Sequence, residues 1–439
     1  MNGTQIAHIK GRRVWDSRGH PTVEAEVTLA NGVQGRAIAP AGASRGAREA
    51  IDLRDDGKHL RGKGVAKAVA NVNGAIAGAL AGRDAADQAD IDAALRRLDP
   101  SPLKDTLGGN ATVAVSLAVL HAAAVAAQTP LWRHIAGMYG RQPSIPLPEI
   151  QIFGGGAHAG RRVDVQDFMI MVPGASSFDE VMEITNEVYF AAGDIMARKG
   201  RLAGVADEGG WWPVFDSNEE ALETLCEAIA LAGEKPGDRV VISLDVAASE
   251  FGRDGRYKLA LENRELDSAG LIDQLGRWLD TYPIVSIEDP LAEDDAEGMA
   301  AFTARFGDRV QIIGDDFLVT NAALVREAAG NGACNAVLVK ANQVGNVTEA
   351  VETFLAAEQA GWRSVVSARS GETEDVSISH LAIGLGAGQL KVGSFTRSER
   401  MAKWNECIRI QEQLGAKAFA AGVPLNGTWW GRKNGGTRA

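Results

Sequence analysis

Residues 240–245, Val-Val-Ile-Ser-Leu-Asp, form a short apolar run that ends on a carboxylate. Five similar runs follow, and their last residues are Glu288, Asp315, Lys340, Arg369 and Lys391. Successive end residues are 22 to 43 positions apart, which is about the length of a strand, a crossover helix and two loops. The spacing predicts βα units, eight of which close into a barrel with its catalytic groups at the carboxyl ends of the strands. Three carboxylates, two lysines and an arginine at one rim indicate an enzyme.

The composition sets limits on the partners and the compartment. The chain has 439 residues, which favours two or three domains, and its net charge of −12 argues against nucleic acid or an anionic membrane as the main partner. Cys226, Cys334 and Cys407 are too far apart for a metal-binding motif, so we expect reduced thiols. The N-terminus lacks the pattern of a secretion signal. Together these features favour a cytoplasmic protein.

The periodicity of the first third of the chain differs from that of the rest. Residues 4–39 alternate apolar and polar positions between turn signals, which predicts a small antiparallel sheet. The pattern is helical from 63 to 136, where the uncharged stretch 111–128 predicts a buried helix rather than a membrane span. We therefore predict an N-terminal α+β domain at 1–138 and a β/α barrel domain at 139–439.

The ends of the barrel domain are marked by turn-forming residues. The loop 140–148 contains three prolines and breaks regular structure, so the domain boundary is placed there. The last residues, 427–439, are rich in glycine and basic residues, which predicts a flexible tail unless Trp429 and Trp430 pack against a surface.

The carboxylates at the strand ends have the chemistry of a metal site. Asp245, Glu288 and Asp315 offer the hard oxygen ligands that Mg²⁺ prefers. The alternative is that each acid caps the helix that follows its strand. Three acids at barrel spacing favour the metal site.

The basic residues at the strand ends suggest proton transfer and anion binding. Lys340 ends an apolar strand, and neighbouring cations favour its neutral amine, the form that a general base needs. A structural salt bridge to Glu288 or Asp315 is the alternative. Arg369 suits bidentate binding of a carboxylate or phosphate. Lys391 would add positive charge where an anion develops, unless it is a solvated lysine at the rim.

Three loops carry further candidates. Glu208 lies in the glycine-rich turn 206–210, where it could protonate a leaving hydroxyl, although a plain turn is the alternative. Ser44 lies in a loop of small residues that could close over the site and reach a second metal. His158 lies among glycines and is either structural or a donor to a ligand.

Together these motifs resemble the enolase family over nearly the whole chain. The resemblance implies an α/β fold with a modified TIM-type barrel, a smaller N-terminal capping domain, a homodimer or higher homo-oligomer, and two Mg²⁺ per site. It also implies that Lys340 takes the C2 proton of a 2-phosphoglycerate-like substrate and that Glu208 protonates the departing C3 hydroxyl. The residues that it implies for binding the substrate are His158, Asp167, Arg369, Ser370 and Lys391, to which the loop cation Arg45 is added.

The chain departs from the family's usual motifs at several positions. Ala368 stands where histidine is usual, Asp167 where glutamate is usual, and Arg45 is an added cation in the loop. The remaining departures are Ala41, Gly154, Trp211 and Trp212. The first two changes would enlarge the pocket, and Arg45 would favour a more anionic substrate. The metal ligands, Lys340 and Glu208 are retained, so we expect enolate chemistry to survive.

Three functions remain open at this point. The departures favour a specialised paralogue that forms an enolpyruvyl product, such as carboxyphosphonoenolpyruvate synthase of phosphinothricin-type phosphonate biosynthesis. Such an enzyme would also take a nucleotide-activated phosphonoformate. The second reading is an ordinary enolase that converts 2-phosphoglycerate to phosphoenolpyruvate in glycolysis. The third is a non-catalytic, enolase-like binding protein.

Overall fold

The computed structural model describes residues 3–435, which form a closed eight-stranded barrel and a smaller N-terminal α+β domain. The N-terminal domain begins with an antiparallel sheet: β1 (Ile6–Trp15), β2 (Pro21–Leu29) and β3 (Gln34–Ile38). Its helices are α1 (Ala66–Asn71), α2 (Ala77–Leu80), α3 (Gln88–Leu98), α4 (Gly109–Ala126) and α5 (Leu131–Tyr139). The sheet and the helices lie where the sequence predicts them, and the predicted boundary after residue 138 falls at the end of α5.

The uncharged stretch predicted to form a buried helix is α4, which packs against β2 and β3. By length and by its mean hydropathy of 1.6 this helix would also suit a membrane span, but 83% of it is buried inside the protein. The apolar core around α4 also contains Val347 and Val351 from the barrel domain. The two domains therefore share a buried apolar contact.

The second domain contains the barrel strands and an external three-stranded sheet. In chain order the strands are β4 (Leu147–Gly154), β5 (Asp167–Met171), β6 (Val241–Asp245), β7 (Gly252–Arg253), β8 (Arg256–Leu259), β9 (Arg264–Asp267), β10 (Ile284–Glu288), β11 (Gln311–Gly314), β12 (Ala336–Val339), β13 (Arg363–Ser367) and β14 (Gly388–Ser394). The barrel closes in the order β10, β11, β12, β13, β14, β4, β5, β6, while β7, β8 and β9 form the external sheet.

Helices surround the barrel, and most of them begin at a side-chain cap, although α11, α13 and α14 do not. They are α6 (Phe178–Arg198), α7 (Asn218–Leu231), α8 (Ser268–Thr281), α9 (Ala296–Phe306), α10 (Ala322–Asn331), α11 (Ala341–Val344), α12 (Val347–Gln359), α13 (Ser377–Leu385), α14 (Ser398–Leu414) and α15 (Trp429–Lys433). The side chains of Asp295 and Asn346 accept a backbone N–H in the first turns of α9 and α12. Such caps satisfy N–H groups that the helix itself leaves unpaired, and they fix where the loops after β10 and β12 end.

One strand differs from the regular βα units that the spacing predicts. β5 is antiparallel to both β4 and β6, whereas the other neighbouring pairs in the barrel are parallel. The reason is that β4 and β5 are joined without a crossover helix, so the chain reverses its direction. Asp167, the first residue of β5, consequently pairs with Asp245, the last residue of β6. The reversed strand thus adds a carboxylate to the catalytic rim.

The prediction of a flexible tail from residue 427 is wrong for the part that the structure describes. The indole N–H of Trp429 donates to the carbonyl of Ile284 at 2.7 Å, and that of Trp430 donates to the carbonyl of Asp238 at 2.6 Å. Trp430 also packs with Leu147 and other buried apolar residues at the amino ends of the barrel strands. The glycines suggested mobility, but the two indoles anchor the segment. Residues 436–439 lie outside the described residues.

Candidate active site

A cavity that opens to solvent, with about 330 Å³ of empty space when the open solvent is included, lies at the rim formed by the carboxyl ends of the parallel strands. Nine of the residues predicted for the site line it: Ser44, His158, Asp167, Glu208, Asp245, Lys340, Arg369, Ser370 and Lys391. Glu288 and Asp315 contact two of the lining lysines, whereas Arg45 lies outside the cavity. Gln166 and Ala368 are among the remaining lining residues.

Lys391 lies at the centre of the carboxylates and is not a solvated lysine at the rim. It is in the middle of β14 rather than at its end, and it is only 6% exposed. Its Nζ lies 2.8 Å from both Asp245 and Glu288 and 3.4 Å from Asp167. Burial alone would lower the pKa of Lys391, but these carboxylates raise it well above its usual value. Lys391 therefore carries a positive charge in this arrangement.

Lys340 is paired with a carboxylate, and the protein side chains around it favour the charged ammonium. Its Nζ donates to Asp315 Oδ2 at 2.5 Å. Burial, followed by Arg369 and Lys391, acts to lower the pKa of Lys340, but Asp315 and Glu288 outweigh them and raise it. The expectation considered the neighbouring cations and missed the stronger effect of the paired carboxylate. The alternative of a salt bridge to Asp315 describes the observed contact.

The acids predicted to bind metal fit a hard divalent cation rather than helix caps. Asp267, Asp295 and Asn321 are the residues that cap α8, α9 and α10. Glu288 is completely buried, and its Oε1 has no hydrogen-bond partner. Burial and the negative charge of Asp245 raise the pKa of Glu288 well above its usual value. A divalent cation would satisfy this oxygen and offset the repulsion between the acids.

A further group of acids lies beside Asp315, and the sequence reasoning missed it. Carboxylate oxygens of Asp289, Asp315 and Asp316 lie within 4.8 Å of one another. Burial and the charge of Asp315 raise the pKa values of Asp289 and Asp316 well above the usual range. Asp289 accepts the backbone N–H groups of residues 315 and 316 at 2.9 and 2.7 Å. It therefore positions the start of the loop that carries Asp315. The sequence contained a signal for this group, because one aspartate directly follows Glu288 and another directly follows Asp315.

Asp167, Glu208 and His158 form a second group on the opposite wall. His158 Nε2 lies 3.8 Å from Asp167 and 3.9 Å from Glu208. Burial raises the pKa of Asp167 to about 6, although His158 and Lys391 act against it. Burial would also raise the pKa of Glu208, but His158, Arg400 and the two lysines lower it overall. In this structure Asp167 is therefore the easier of the two acids to protonate.

The turn that carries Glu208 requires glycine at the next position. Gly209 has a φ of +96°, which L-residues with side chains rarely adopt. Its carbonyl accepts hydrogen bonds from the hydroxyls of Tyr189 and Thr396 at 2.9 and 2.8 Å. These contacts hold the turn, so Glu208 is a buried cavity residue rather than part of an exposed surface turn.

The loop that carries Ser44 lies directly on Arg369. Two nitrogens of Arg369 contact the carboxylate of Glu49 at 2.9 and 3.2 Å, and one donates to the carbonyl of Ser44 at 3.1 Å. A Cβ at Gly42 would lie 2.1 Å from the guanidinium, so only glycine permits this approach. Glu49 is thus a partner of Arg369 that the sequence reasoning missed. No periodic pattern marks it, because it lies in a loop.

Arg45 does not take the position that the sequence predicts. Its guanidinium lies 3.8 Å from Asp52, and the side chain is 44% exposed. Its predicted role in binding the substrate therefore has no contact in this structure to support it.

Only some of the unusual residues reach the cavity. Asp167 and Ala368 line it, whereas Trp211 and Trp212 do not. Trp211 stacks on Tyr189 at 4.8 Å behind the cavity wall. Gly154 has a packing explanation, because a Cβ there would lie 2.7 Å from Cβ of Ala206. The pocket therefore differs from the family pattern mainly at positions 167 and 368.

Two buried cations on α14 support the cavity from behind. Arg400 donates to the carbonyls of Arg369 and Ser370 at 2.6 and 2.5 Å. Lys403 lies 2.9 Å from Glu372 and donates to the carbonyl at residue 373 at 2.7 Å. Both cations are fully buried. Their spacing of three residues on one helix face was the available signal, but it did not distinguish a buried pair from an exposed one.

The fold and this cavity define a capped β/α barrel with clustered carboxylates and cations at the carboxyl rim of its strands. Residues 6–135 match the family model described as the enolase N-terminal domain. Residues 142–427 match the model described as the enolase C-terminal TIM barrel domain. The chain belongs to the enolase family.

Proposed function

We propose that this protein forms an enolpyruvyl product from a 2-phosphoglycerate-like substrate. Lys340 removes the C2 proton, and Glu208 protonates the hydroxyl that leaves from C3. The observation that supports this assignment is that both residues line one buried cavity together with Arg369 and Lys391. A cavity with two cations for an anionic substrate and two proton-transfer groups suits elimination next to a carboxylate.

The residues act in an order that their contacts suggest. Lys391 and Arg369 bind the carboxylate and phosphate of the substrate, with Ser370 and His158 beside them. Lys340 must lose its proton to act as a base, so its pair with Asp315 has to be broken when the site is occupied. Glu208 must be protonated for the second step, and its lowered pKa makes it a stronger proton donor than nearby Asp167 once it carries that proton.

Mg²⁺ is the proposed cofactor, with two ions per site. Asp245, Glu288 and Asp315 would hold the first ion, and Ser44 would reach the second. When bound, Mg²⁺ stabilises the negative charge that develops on the substrate carboxylate. The unpartnered, buried Oε1 of Glu288 supports this proposal.

Within this chemistry we favour a specialised paralogue of the carboxyphosphonoenolpyruvate synthase type, which uses a nucleotide-activated phosphonoformate. The support is a smaller side chain at two cavity positions, since Ala368 and Asp167 leave more room than the usual histidine and glutamate. Ordinary enolase activity is the second candidate, because Arg45 makes no cavity contact. If an Arg45→Thr variant uses the carboxyphosphono substrate as well as the wild type does, Arg45 has no part in the proposal.

Proton NMR of 2-phosphoglycerate in D₂O with Mg²⁺ distinguishes these candidates. The specialised enzyme is expected to exchange the C2 proton with little formation of vinyl protons. Rapid formation of phosphoenolpyruvate would instead identify an ordinary enolase that tolerates its altered pocket. Phosphonoformyl donors would be tested only if the C2 proton exchanges without rapid formation of phosphoenolpyruvate.

The assembly and the location of the protein belong to the same proposal. We propose a cytoplasmic homodimer or higher homo-oligomer that acts on small anionic substrates and not on nucleic acid or membranes. A non-catalytic binding protein is the alternative of another class. Calorimetry distinguishes it, because a binding protein need not take up Mg²⁺ more tightly when a hydroxamate that mimics the enolate is added.

A further inference from the structure

A second cleft, of about 560 Å³, lies on the other side of the loop that joins β4 to β5. Gly156 and Asp164 of this loop line the cleft, whereas His158 and Gln166 line the active-site cavity. Residues of β7, β8 and the turn before them complete the lining of the cleft. One loop therefore forms a wall of both spaces.

The β8 strand is a fixed wall of this cleft. Its inward-facing Tyr257 is 1% exposed, and the phenol donates to Asp295 at 2.7 Å and accepts from the backbone of Ala292 at 3.1 Å. Successive side chains of a strand point to opposite faces. Arg256 and Lys258, on either side of Tyr257, are consequently exposed on the face away from the barrel.

The exposed face of this sheet concentrates positive charge. Arg253, Arg256 and Lys258 line the cleft, and Arg253 stands directly opposite Arg256 in the register of β7 and β8. Like charges at directly opposed positions destabilise a sheet. The sequence nevertheless places them there, although the chain has a net charge of −12. An anion bound between them would remove this repulsion.

Arg253 lies 3.9 Å from the carboxylate of Asp254, whereas Arg256 and Lys258 form no ion pair with the described residues. Within the described part of the chain, Arg256 and Lys258 have no carboxylate oxygen within 4.0 Å, although Asp267 and Glu265 stand opposite them in the register of β9. Asp267 is occupied as the cap of α8, where it accepts a backbone N–H. The two acids that line the cleft are also engaged: Glu250 pairs with Arg161 at 2.6 Å, and Asp164 accepts the N–H of Ala260 at 2.7 Å.

The cleft also offers an aromatic surface. Phe251 lines it and is only partly buried, and its ring lies 6.3 Å from the ring of Tyr257 in an edge-to-face arrangement. An aromatic face beside uncompensated cations suits a ligand with a flat ring and a phosphate. Nucleobases stack on such rings, and phosphates bind such cations.

We infer that this cleft binds the nucleoside phosphate part of an activated second substrate. Arg256 and Lys258 bind its phosphate, and Phe251 stacks on its base. The inference rests on the proposed function, which requires a nucleotide-activated donor, and it assigns the place where that donor is recognised. The loop that joins β4 to β5 separates this cleft from the active-site cavity, since its residues line both spaces.

Isothermal titration calorimetry tests this assignment. The four common ribonucleoside 5′-monophosphates are titrated in turn into the full-length protein, with 2-phosphoglycerate and Mg²⁺ present to fill the active-site cavity. At least one nucleotide is expected to bind, and an Arg256→Gln/Lys258→Gln double variant is expected to bind it at least about tenfold more weakly. Arg264→Gln is the matched control, because Arg264 lies on β9, pairs with Glu262 at 2.7 Å and does not line the cleft.

Several outcomes would overturn the inference. They are the absence of nucleotide binding by the wild type, equal affinity in the double variant, and an equal loss in the control. Inorganic phosphate that binds as tightly as the nucleotide would show a general anion site and would overturn it as well. Exchange of the C2 proton is measured on the same proteins. Its absence in the wild type would contradict the proposed function, whereas the calorimetry reports on the cleft independently.

Discussion

The ammonium of Lys391 lies 2.8 Å from Asp245 and 2.8 Å from Glu288, two of the three acids predicted to bind metal. It therefore offsets the repulsion between two buried carboxylates at the centre of the site. A divalent cation that binds these acids competes with the ammonium for the same oxygens. Whether the cation displaces the ammonium depends on how many carboxylates it binds and on how many of their oxygens lack a hydrogen-bond partner.

Glu288→Gln is expected to weaken Mg²⁺ binding at least about tenfold, because a neutral amide replaces a carboxylate ligand. Calorimetric titration of Mg²⁺ in the presence of 2-phosphoglycerate measures the change. Asp280→Asn is the control, since this acid pairs with Arg309 on the surface. Unchanged affinity in Glu288→Gln would exclude Glu288 as a ligand.

Glu208→Gln is expected to separate the two proposed steps. Exchange of the C2 proton requires Lys340 and should persist within about tenfold, whereas loss of the C3 hydroxyl requires an acid and should fall by about 10²-fold or more. Proton NMR follows both signals in one sample when the carboxyphosphono substrate or 2-phosphoglycerate is used. Loss of exchange and elimination to the same extent would mean that Glu208 does not act as a separate acid.

Ala368→His restores the residue that the family motif usually carries at a position that lines the cavity. The added imidazole fills space, so we expect higher kcat/KM for 2-phosphoglycerate, by about tenfold, and poorer use of a bulkier substrate. Steady-state assays measure kcat/KM for both substrates and show whether it rises for 2-phosphoglycerate and falls for the bulkier substrate. A decrease for both substrates would contradict the interpretation that Ala368 sets the pocket size.

Glu149 lies inside the barrel, fully buried, and accepts from Gln389 at 2.8 Å and Ser243 at 3.3 Å. Burial raises its pKa from 4.5 to about 7, although Lys391 acts in the opposite direction. The folded protein therefore binds this proton more tightly than the unfolded chain does. Its contribution to stability is complete below the unfolded pKa and is lost as the pH rises towards about 7.

Glu149→Gln removes this dependence on pH. The difference in the free energy of unfolding, variant minus wild type, is expected to be about 1 to 3 kcal/mol larger at about pH 7.5 than at about pH 4.5. Urea unfolding at both pH values measures it. A constant difference between the two proteins would show that Glu149 keeps an ordinary pKa in the fold.

The sequence predicted the elements of the barrel well because apolar runs and helical periodicity are local signals. Strand ends predicted Asp245 and Lys340 of the cavity, loop motifs predicted Ser44 and Glu208, and Asp167 came from the resemblance to the family. The reversed β5 was not predicted, because its direction depends on the short connection that precedes it. The packing of Trp430 was only an alternative to a flexible tail, because its partners are distant in sequence.

The electrostatics of the site were less predictable than its composition. The sequence places Lys340 near cations and acids alike, but only the 2.5 Å contact with Asp315 decides the direction of its pKa. The sequence likewise did not indicate that the guanidinium of Arg45 lies 3.8 Å from Asp52 and outside the cavity. Such effects depend on distances between side chains, and these are set by tertiary packing.

The most direct test of the account compares the wild type with Lys340→Ala in D₂O, with 2-phosphoglycerate and Mg²⁺, by proton NMR. We predict that the C2 proton signal disappears with the wild type and persists with the variant, while circular dichroism shows the same fold for both. Loss of the signal at equal rates with both proteins, or no loss with the wild type, would contradict the proposal that Lys340 removes the C2 proton.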